Sequence, residues 1–243
     1  KYVPGDDVRD IDWNVTAKLS EPYIKIFEEE RELTMMLMID VSASELFGTS
    51  EMLKKEIITE ICAVLSFSAL QNNDKVGVLF FTDQIELFIP AKKGKKHILR
   101  IIRELIKFKP KNKKTNISHA CQYLNNVVKK KSIVFILSDF IDSDFDKSLR
   151  LVAKKHDLTG IRVFDKFEQN MFPFGLSLFF DPETQSSHWV DTSSSLVRKN
   201  IKKSYQEISD YFKKSFLKSG ASTVNISTED SYVVKLLELF KNK

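Results

Sequence analysis

Leu33-Thr34-Met35-Met36-Leu37-Met38-Ile39-Asp40-Val41-Ser42-Ala43-Ser44 decides the fold. The first seven positions are almost wholly apolar, and the run then breaks into a carboxylate and two hydroxyls. This is the pattern of a strand covered on both faces, with its carboxyl end opening toward solvent. A second run of the same kind, Ser132–Ser138 (SIVFILS), stops at Ser138-Asp139. Around these two, helical spacing predicts helices over 51–71 (Leu53, Ile57, Ile61, Val64, Leu65, Phe67), 97–108, 116–129 and 146–156. Lys75–Thr82 and Ile85–Ala91, parted by Asp83-Gln84, read as an antiparallel hairpin, and Thr159–Phe164 as a further strand. Strands alternating with helices predict an α/β fold with a mostly parallel central sheet and helices on both faces. Ligands in such folds bind beyond the carboxyl ends of the strands.

From Asp165 the rhythm changes. Leu176–Phe180 and His188–Asp191 read as a small hairpin around Asp181-Pro182-Glu183-Thr184, and Ser193–Lys218 as one long amphipathic helix stopped by Ser219-Gly220. Ala221–Ser227 is a last strand and Ser231–Phe240 a last helix. The stretch 165–192 is an insertion, too short for its own core. The expected organisation is an N-terminal arm, 1–32, followed by one domain, 33–243. In the arm, Pro4-Gly5 makes a turn, Asp6 or Asp7 caps a short helix over Val8–Ala17, and Trp13 packs onto the core.

The composition suits a globular protein with a sizeable core: 243 residues, 42% hydrophobic and 29% charged. No apolar run approaches the ~18 residues of a membrane helix. Lys and Arg outnumber Asp and Glu by 38 to 33, mostly through short lysine runs. Without interleaved arginines and aromatics these read as solvated faces, not a nucleic-acid surface. Cys62 and Cys121 form no CxxC and read as core residues of a reducing compartment. With no targeting signal in view, the expected location is cytoplasmic.

Asp40-x-Ser42-x-Ser44 is the chemically sharpest feature. Mg²⁺ takes about six oxygen ligands at roughly 2.0–2.1 Å. A carboxylate and two hydroxyls on alternate loop residues can converge on such an ion without cancelling its charge. Thr115, just before a helix, and Asp139, ending the second buried strand, supply two more oxygens. Serines at strand ends also make ordinary turns, and Thr115 and Asp139 stand where helix caps do. No GxSxG, P-loop, HExxH or GxGxxG occurs, and His97, His119, His156 and His188 lack ligand spacing. His119 is the one histidine expected near the ion. No catalytic residue is assigned.

The order Asp40/Ser42/Ser44, Thr115, Asp139 resembles the metal-ion-dependent adhesion site of von Willebrand factor A domains. A second resemblance covers nearly the whole chain. Tyr2-Val3-Pro4-Gly5-Asp6-Asp7-Val8-Arg9-Asp10-Ile11-Asp12-Trp13 looks like the signature of the bacterial domain of unknown function 58 family. It is followed in order by Phe27-Glu28-Glu29-Glu30-Arg31, Asn73-Asp74-Lys75-Val76-Gly77, Ser138-Asp139-Phe140, Asp181-Pro182-Glu183-Thr184 and Thr228-Glu229-Asp230. One departure is Glu45, where the family usually has methionine. Together the resemblances imply a von Willebrand factor A-like fold in which Asp40, Ser42, Ser44, Thr115 and Asp139 hold Mg²⁺ or Mn²⁺. They also imply a protein-interaction or adaptor role beside a MoxR-type AAA+ ATPase or its client. A partner carboxylate would complete the ion's shell, drawn by Lys111, Lys113 and Lys114 beside Thr115. Two alternatives keep the fold: a Mg²⁺-dependent phosphohydrolase using the same site, and a metal-free scaffold.

Overall fold

The computed structural model describes residues 1–25, 32–46, 53–181 and 186–241. They fall into two units, Lys1–Glu32 and Leu33–Lys243. The acidic run 28–30 with its neighbours Phe27 and Arg31, the start of the helix expected from Glu51, and the turn Pro182–Thr184 lie outside the described residues, as does the side chain of Glu45.

In the first unit, aspartates shape the backbone. Asp6 accepts from the Val3 N–H (2.9 Å), Asp7 from that of Arg9 (2.9 Å), and Asp12 from those of Asn14 and Val15 (3.1 and 3.2 Å). The helix expected over Val8–Ala17 is therefore two pieces: a 3-10 turn, Val8–Asp10, capped by Asp7, and helix α1, Trp13–Leu19, capped by Asp12. Between them Ile11 is extended and bridges to Ile24. Trp13 lies on the first turn of α1.

The second unit runs β1 (Thr34–Asp40), α2 (Lys54–Gln71), β2 (Lys75–Phe81), β3 (Ile85–Lys92), α3 (Lys95–Lys107), α4 (Ile117–Val127), β4 (Ile133–Ser138), α5 (Asp146–Lys155), β5 (Asp157–Phe164), α6 (Lys166–Gln169), β6 (Leu176–Asp181), β7 (Ser186–Asp191), α7 (Ser195–Ser219), β8 (Ser222–Ser227) and α8 (Tyr232–Lys241). Six strands form one sheet in the order β3-β2-β1-β4-β5-β8, with β6 and β7 a separate two-stranded sheet. Only the β2–β3 pair of the large sheet is antiparallel. This is the expected α/β architecture, a mostly parallel central sheet with an antiparallel edge hairpin.

Alternation along β1 divides the core into two layers. Met35, Leu37 and Ile39 pack with Ile57, Ile61 and Leu65 of α2, Ile101 and Leu105 of α3, and Leu236 of α8. Met36 and Met38 point the other way, toward Ile117 and Leu124 of α4, Leu149 and Val152 of α5, and Phe212 and Phe216 of α7. Cys62 sits in the first layer and Cys121 in the second, both buried, and burial pushes both thiols up. They are core residues, as expected. On α2 the expected apolar stripe is too broad: Val64 and Phe67 face solvent. Gly160 on β5 lets α7 approach closely, since a Cβ there would stand 2.5 Å from the Phe216 ring and 2.9 Å from that of Phe212. Among the described residues no helix is long and apolar enough to cross a membrane.

Candidate metal-binding site

The chain leaves β1 through α2 for β2 on one side, whereas β4 lies on β1's other side. Such a switch of direction opens a crevice at the carboxyl ends of the two diverging strands. Ile39 pairs with Leu137 across them, so Asp40 and Ser138 end adjacent strands and Asp139 follows directly. Asp40, Ser42 and Asp139 are almost wholly buried, and Ser44 nearly so.

The five expected residues form one connected cluster. Asp40 Oδ1 accepts from the Ser42 N–H at 2.9 Å, and the Ser42 hydroxyl also bonds the Asp40 carboxylate. Ser42 Oγ and Ser44 Oγ are 3.0 Å apart, and the Ser44 hydroxyl reaches Asp139. Thr115 Oγ1 donates to Asp40 Oδ2 at 3.2 Å. Thr115 is free for this because Asn116 caps α4, accepting from the His119 N–H at 2.8 Å. The loop that carries Thr115 is pinned by two backbone bonds, Asn116 N–H to the Thr82 carbonyl (3.1 Å) and Ala43 N–H to the Lys113 carbonyl (3.0 Å). His119, expected near the ion, turns its ring to the Asp83 carbonyl at 3.2 Å.

Four residues join the site that the sequence reading did not assign to it. Ser138 Oγ donates to Asp40 Oδ2 at 2.7 Å, although Ser138 stood in the motif that named Asp139. Lys54, 0% exposed on the first turn of α2, places its ammonium 2.9 Å from Asp139 Oδ2 and 2.8 Å from Glu168 Oε1 of α6. Arg162, buried on β5, donates through Nε to the Asp139 carbonyl at 2.9 Å. Nothing in Lys54-Lys55 separates the buried lysine from its neighbour, whose ammonium reaches the Phe108 carbonyl. Glu168 comes from a single-turn helix 114 positions away.

Backbone strain fixes the turn after β4. Phe140 is left-handed, φ 57°, a conformation uncommon outside glycine and asparagine. It is held by its buried ring, 4.4 Å from that of Phe212 and 5.4 Å from that of Phe216, and by its N–H bond to Ser138 Oγ. The same turn presents the Ile141 N–H to Asp139 Oδ1 at 3.2 Å.

Burial, reinforced by the charge of Asp139, pushes the Asp40 carboxyl up to about 6 despite bonds from Ser138 and Ser42. Burial pushes Asp139 the same way, but the Lys54 ammonium overrides it and holds that carboxyl below its ordinary value. The cluster thus contains one compensated carboxylate and one whose charge is costly. Among the described residues no three His, Cys, Asp or Glu side chains gather as a metal-binding group, so hydroxyls would carry much of any coordination here. The residues fit a hard divalent ion on that basis. Adjacent oxygens around Mg²⁺ are about 2.9 Å apart, from bond lengths of roughly 2.0–2.1 Å at right angles. The Ser42–Ser44 separation of 3.0 Å is that of a hydroxyl–hydroxyl hydrogen bond and is compatible with such a spacing.

Comparison with known proteins agrees with this architecture. An uncharacterized protein of Mycobacterium tuberculosis (strain ATCC 25618 / H37Rv) is 27% identical over 186 residues, 75% of this chain. The match spans 59% of the mycobacterial protein's length. The crystal structure of the conserved hypothetical protein BatB from Bacteroides thetaiotaomicron shares the fold at 12% identity, with a TM-score of 0.54 over 86% of this chain and 97% of its own. An aerotolerance-related membrane protein from Bacteroides fragilis is similar at 11% identity, with a TM-score of 0.57 over 87% of this chain and 100% of its own. Residues 1–210 match the family described as protein of unknown function DUF58, and with most of its length inside that match the chain belongs to the DUF58 family.

Proposed function

We propose that the chain is a divalent-cation-dependent protein-interaction module, with Asp40, Ser42, Ser44, Thr115 and Asp139 holding Mg²⁺ or Mn²⁺. The convergence of these five side chains at the β1/β4 switch point carries the reading. A bound divalent ion would supply positive charge beside Asp40 and a Lewis-acidic position for an incoming carboxylate. The protein's own part is to present buried hydroxyls that leave this charge uncancelled, and to keep Asp139 ionised through Lys54. Lys111, Lys113 and Lys114 are exposed along the loop that ends at Thr115, and would favour an acidic partner surface. The partner we propose is a MoxR-type AAA+ ATPase or its client, on the strength of the family resemblance.

The direct test is binding of a purified MoxR-type ATPase in Mg²⁺ and in chelator, with wild type, Asp40→Ala and Thr115→Ala. The reading expects binding in Mg²⁺ by wild type alone, with all three proteins folded. Normal binding by either variant with the metal chelated contradicts it. Lys54 favours a second reading, the metal-free scaffold, because its ammonium already compensates Asp139 without an ion. That reading expects binding indifferent to chelator.

A further inference from the structure

The insertion that forms β6 and β7 turns large apolar side chains outward along β6. Along β6 the half-buried positions are Ser177 and Phe179, while Leu176, Leu178 and Phe180 face solvent. Phe172 and Phe174 continue the exposed series upstream, and Trp189 stands beside Leu178 on β7. These six side chains are each 53–68% exposed. A strand with one buried face ordinarily turns its polar residues outward, so a run of large apolar side chains on the outer face marks a contact surface.

What flanks the hairpin names the contact. Thr192 accepts from the Phe174 N–H through Oγ1 at 2.7 Å, and its own N–H bonds the Gly175 carbonyl at 2.9 Å. Arg198 donates to the Thr192 and Ser193 carbonyls at 2.6 and 2.8 Å. The base of the hairpin and the first turns of α7 are thereby fastened together. From Thr192 to Gln206 the chain carries Arg198, Lys199, Lys202 and Lys203 and no acidic residue. Arg198, Lys199 and Lys202 line a cleft of about 290 Å³ with Gln169, Asn170 and Met171, the residues leading directly into Phe172. Asp191, the acid at the hairpin base, has its carboxylate engaged by the Ser193 N–H, and Asp181 stands at the opposite end of β6.

We infer that this hairpin and the start of α7 dock onto an anionic lipid bilayer. Phe, Leu and Trp side chains would enter the boundary between headgroups and acyl chains, with Lys199, Lys202 and Arg198 among the lipid phosphates. Exposed aromatic and leucine side chains beside Arg198, Lys199 and Lys202 match both layers of such a surface, while Lys203 pairs with Glu207 at 3.7 Å. A second copy of the chain matches only the apolar half, since pairing two hairpins would bring two basic helix starts together.

The test uses co-sedimentation with vesicles of phosphatidylcholine alone, or of equal parts phosphatidylcholine and phosphatidylglycerol, while tryptophan emission is followed. Trp13→Phe leaves Trp189 as the single reporter. The expected result is salt-sensitive binding to the anionic vesicles with a blue shift of Trp189 emission, and little binding to the zwitterionic ones. Phe174→Ser/Leu178→Ser should abolish the blue shift, and Lys199→Glu/Lys202→Glu should weaken binding by about tenfold or more, both with a cooperative melt retained. Unshifted Trp189 emission on bound vesicles, equal binding to both vesicle types, or full binding by either double variant would overturn the proposal. So would self-association of the wild type that Phe174→Ser/Leu178→Ser removes.

Discussion

The carboxyl end of β1 and the β6–β7 hairpin break the same partitioning rule in opposite directions. One hides two carboxylates, an ammonium and a guanidinium inside the protein; the other leaves six large apolar side chains in water. At the strand end the molecule largely compensates itself: Asp139 has Lys54 and the Ile141 N–H, and the Lys54 ammonium has Glu168 as well. Asp40 is the exception, with hydrogen bonds and, among the described residues, no opposite charge to offset its burial, which pushes its carboxyl upward. At the hairpin nothing in the described chain covers the apolar face. An uncompensated carboxylate calls for a cation and an uncovered apolar face calls for an apolar surface, so the two regions are expected to answer differently to the same perturbations.

The largest effect should follow from breaking the internal compensation. Lys54→Met leaves the Asp139 and Glu168 carboxylates without the buried ammonium, and should cost about 3–5 kcal/mol in urea unfolding. Mg²⁺ should restore part of that loss if the ion takes over the charge, and none of it in the metal-free scaffold. Next, Gly160→Ala drives a methyl into the rings of Phe216 and Phe212, which also clamp Phe140. About 1–3 kcal/mol of destabilisation by chemical denaturation is expected. An unchanged midpoint would mean that α7 can shift freely.

Asp40 sets a pH dependence of opposite sign to that of a paired carboxylate. Its folded value, about 6, lies above its ordinary 3.8. The native state therefore binds the proton more tightly than the unfolded chain, and stability falls as pH rises from about 4 to about 6. The upper limit is about 3 kcal/mol, at 1.36 kcal/mol per unit. Asp139 works the other way, losing stability only as pH falls below the ordinary carboxylate value. Metal-free melts should thus show wild type gaining on Asp40→Asn as pH falls from about 6.5 to about 4.5, and saturating Mg²⁺ should flatten the difference. Smallest of all, Phe174→Ser/Leu178→Ser should change stability by no more than about 1 kcal/mol, because both side chains are mostly exposed and Phe174 gives up only its stacking on Phe167. A larger loss, read in the same denaturation assay, would mean that the hairpin face supports the fold.

These two regions were legible in the sequence to different degrees. Continuous apolar runs ending in Asp40-Val41-Ser42 and Ser138-Asp139 located the strand ends, since a strand buried on both faces has few other ways to be written. Thr115 was visible because it precedes a helix, although the sequence offered it equally as the cap of that helix, a place the structure gives to Asn116. Lys54 was not, because burial of a lysine depends on a carboxylate brought from β4 and on Glu168 from the short helix α6, and local spacing contains neither. The hairpin itself was visible in Leu176–Phe180, but its outward apolar face was not. Alternation shows which side chains share a face, and only the folded chain shows that Ser177 and Phe179 are the half-buried set. The single helix expected over Val8–Ala17 failed for a local reason: Asp7 and Asp12 each start a turn, and one helix cannot have two beginnings.

The central claim concerns the ion, and isothermal titration of Mg²⁺ and Mn²⁺ into chelator-treated protein tests it most directly. Saturable binding is expected of the wild type and none of Asp40→Ala. Wild-type protein that binds neither ion, or binds them as well after Asp40→Ala, would contradict the assignment of these five residues to a metal.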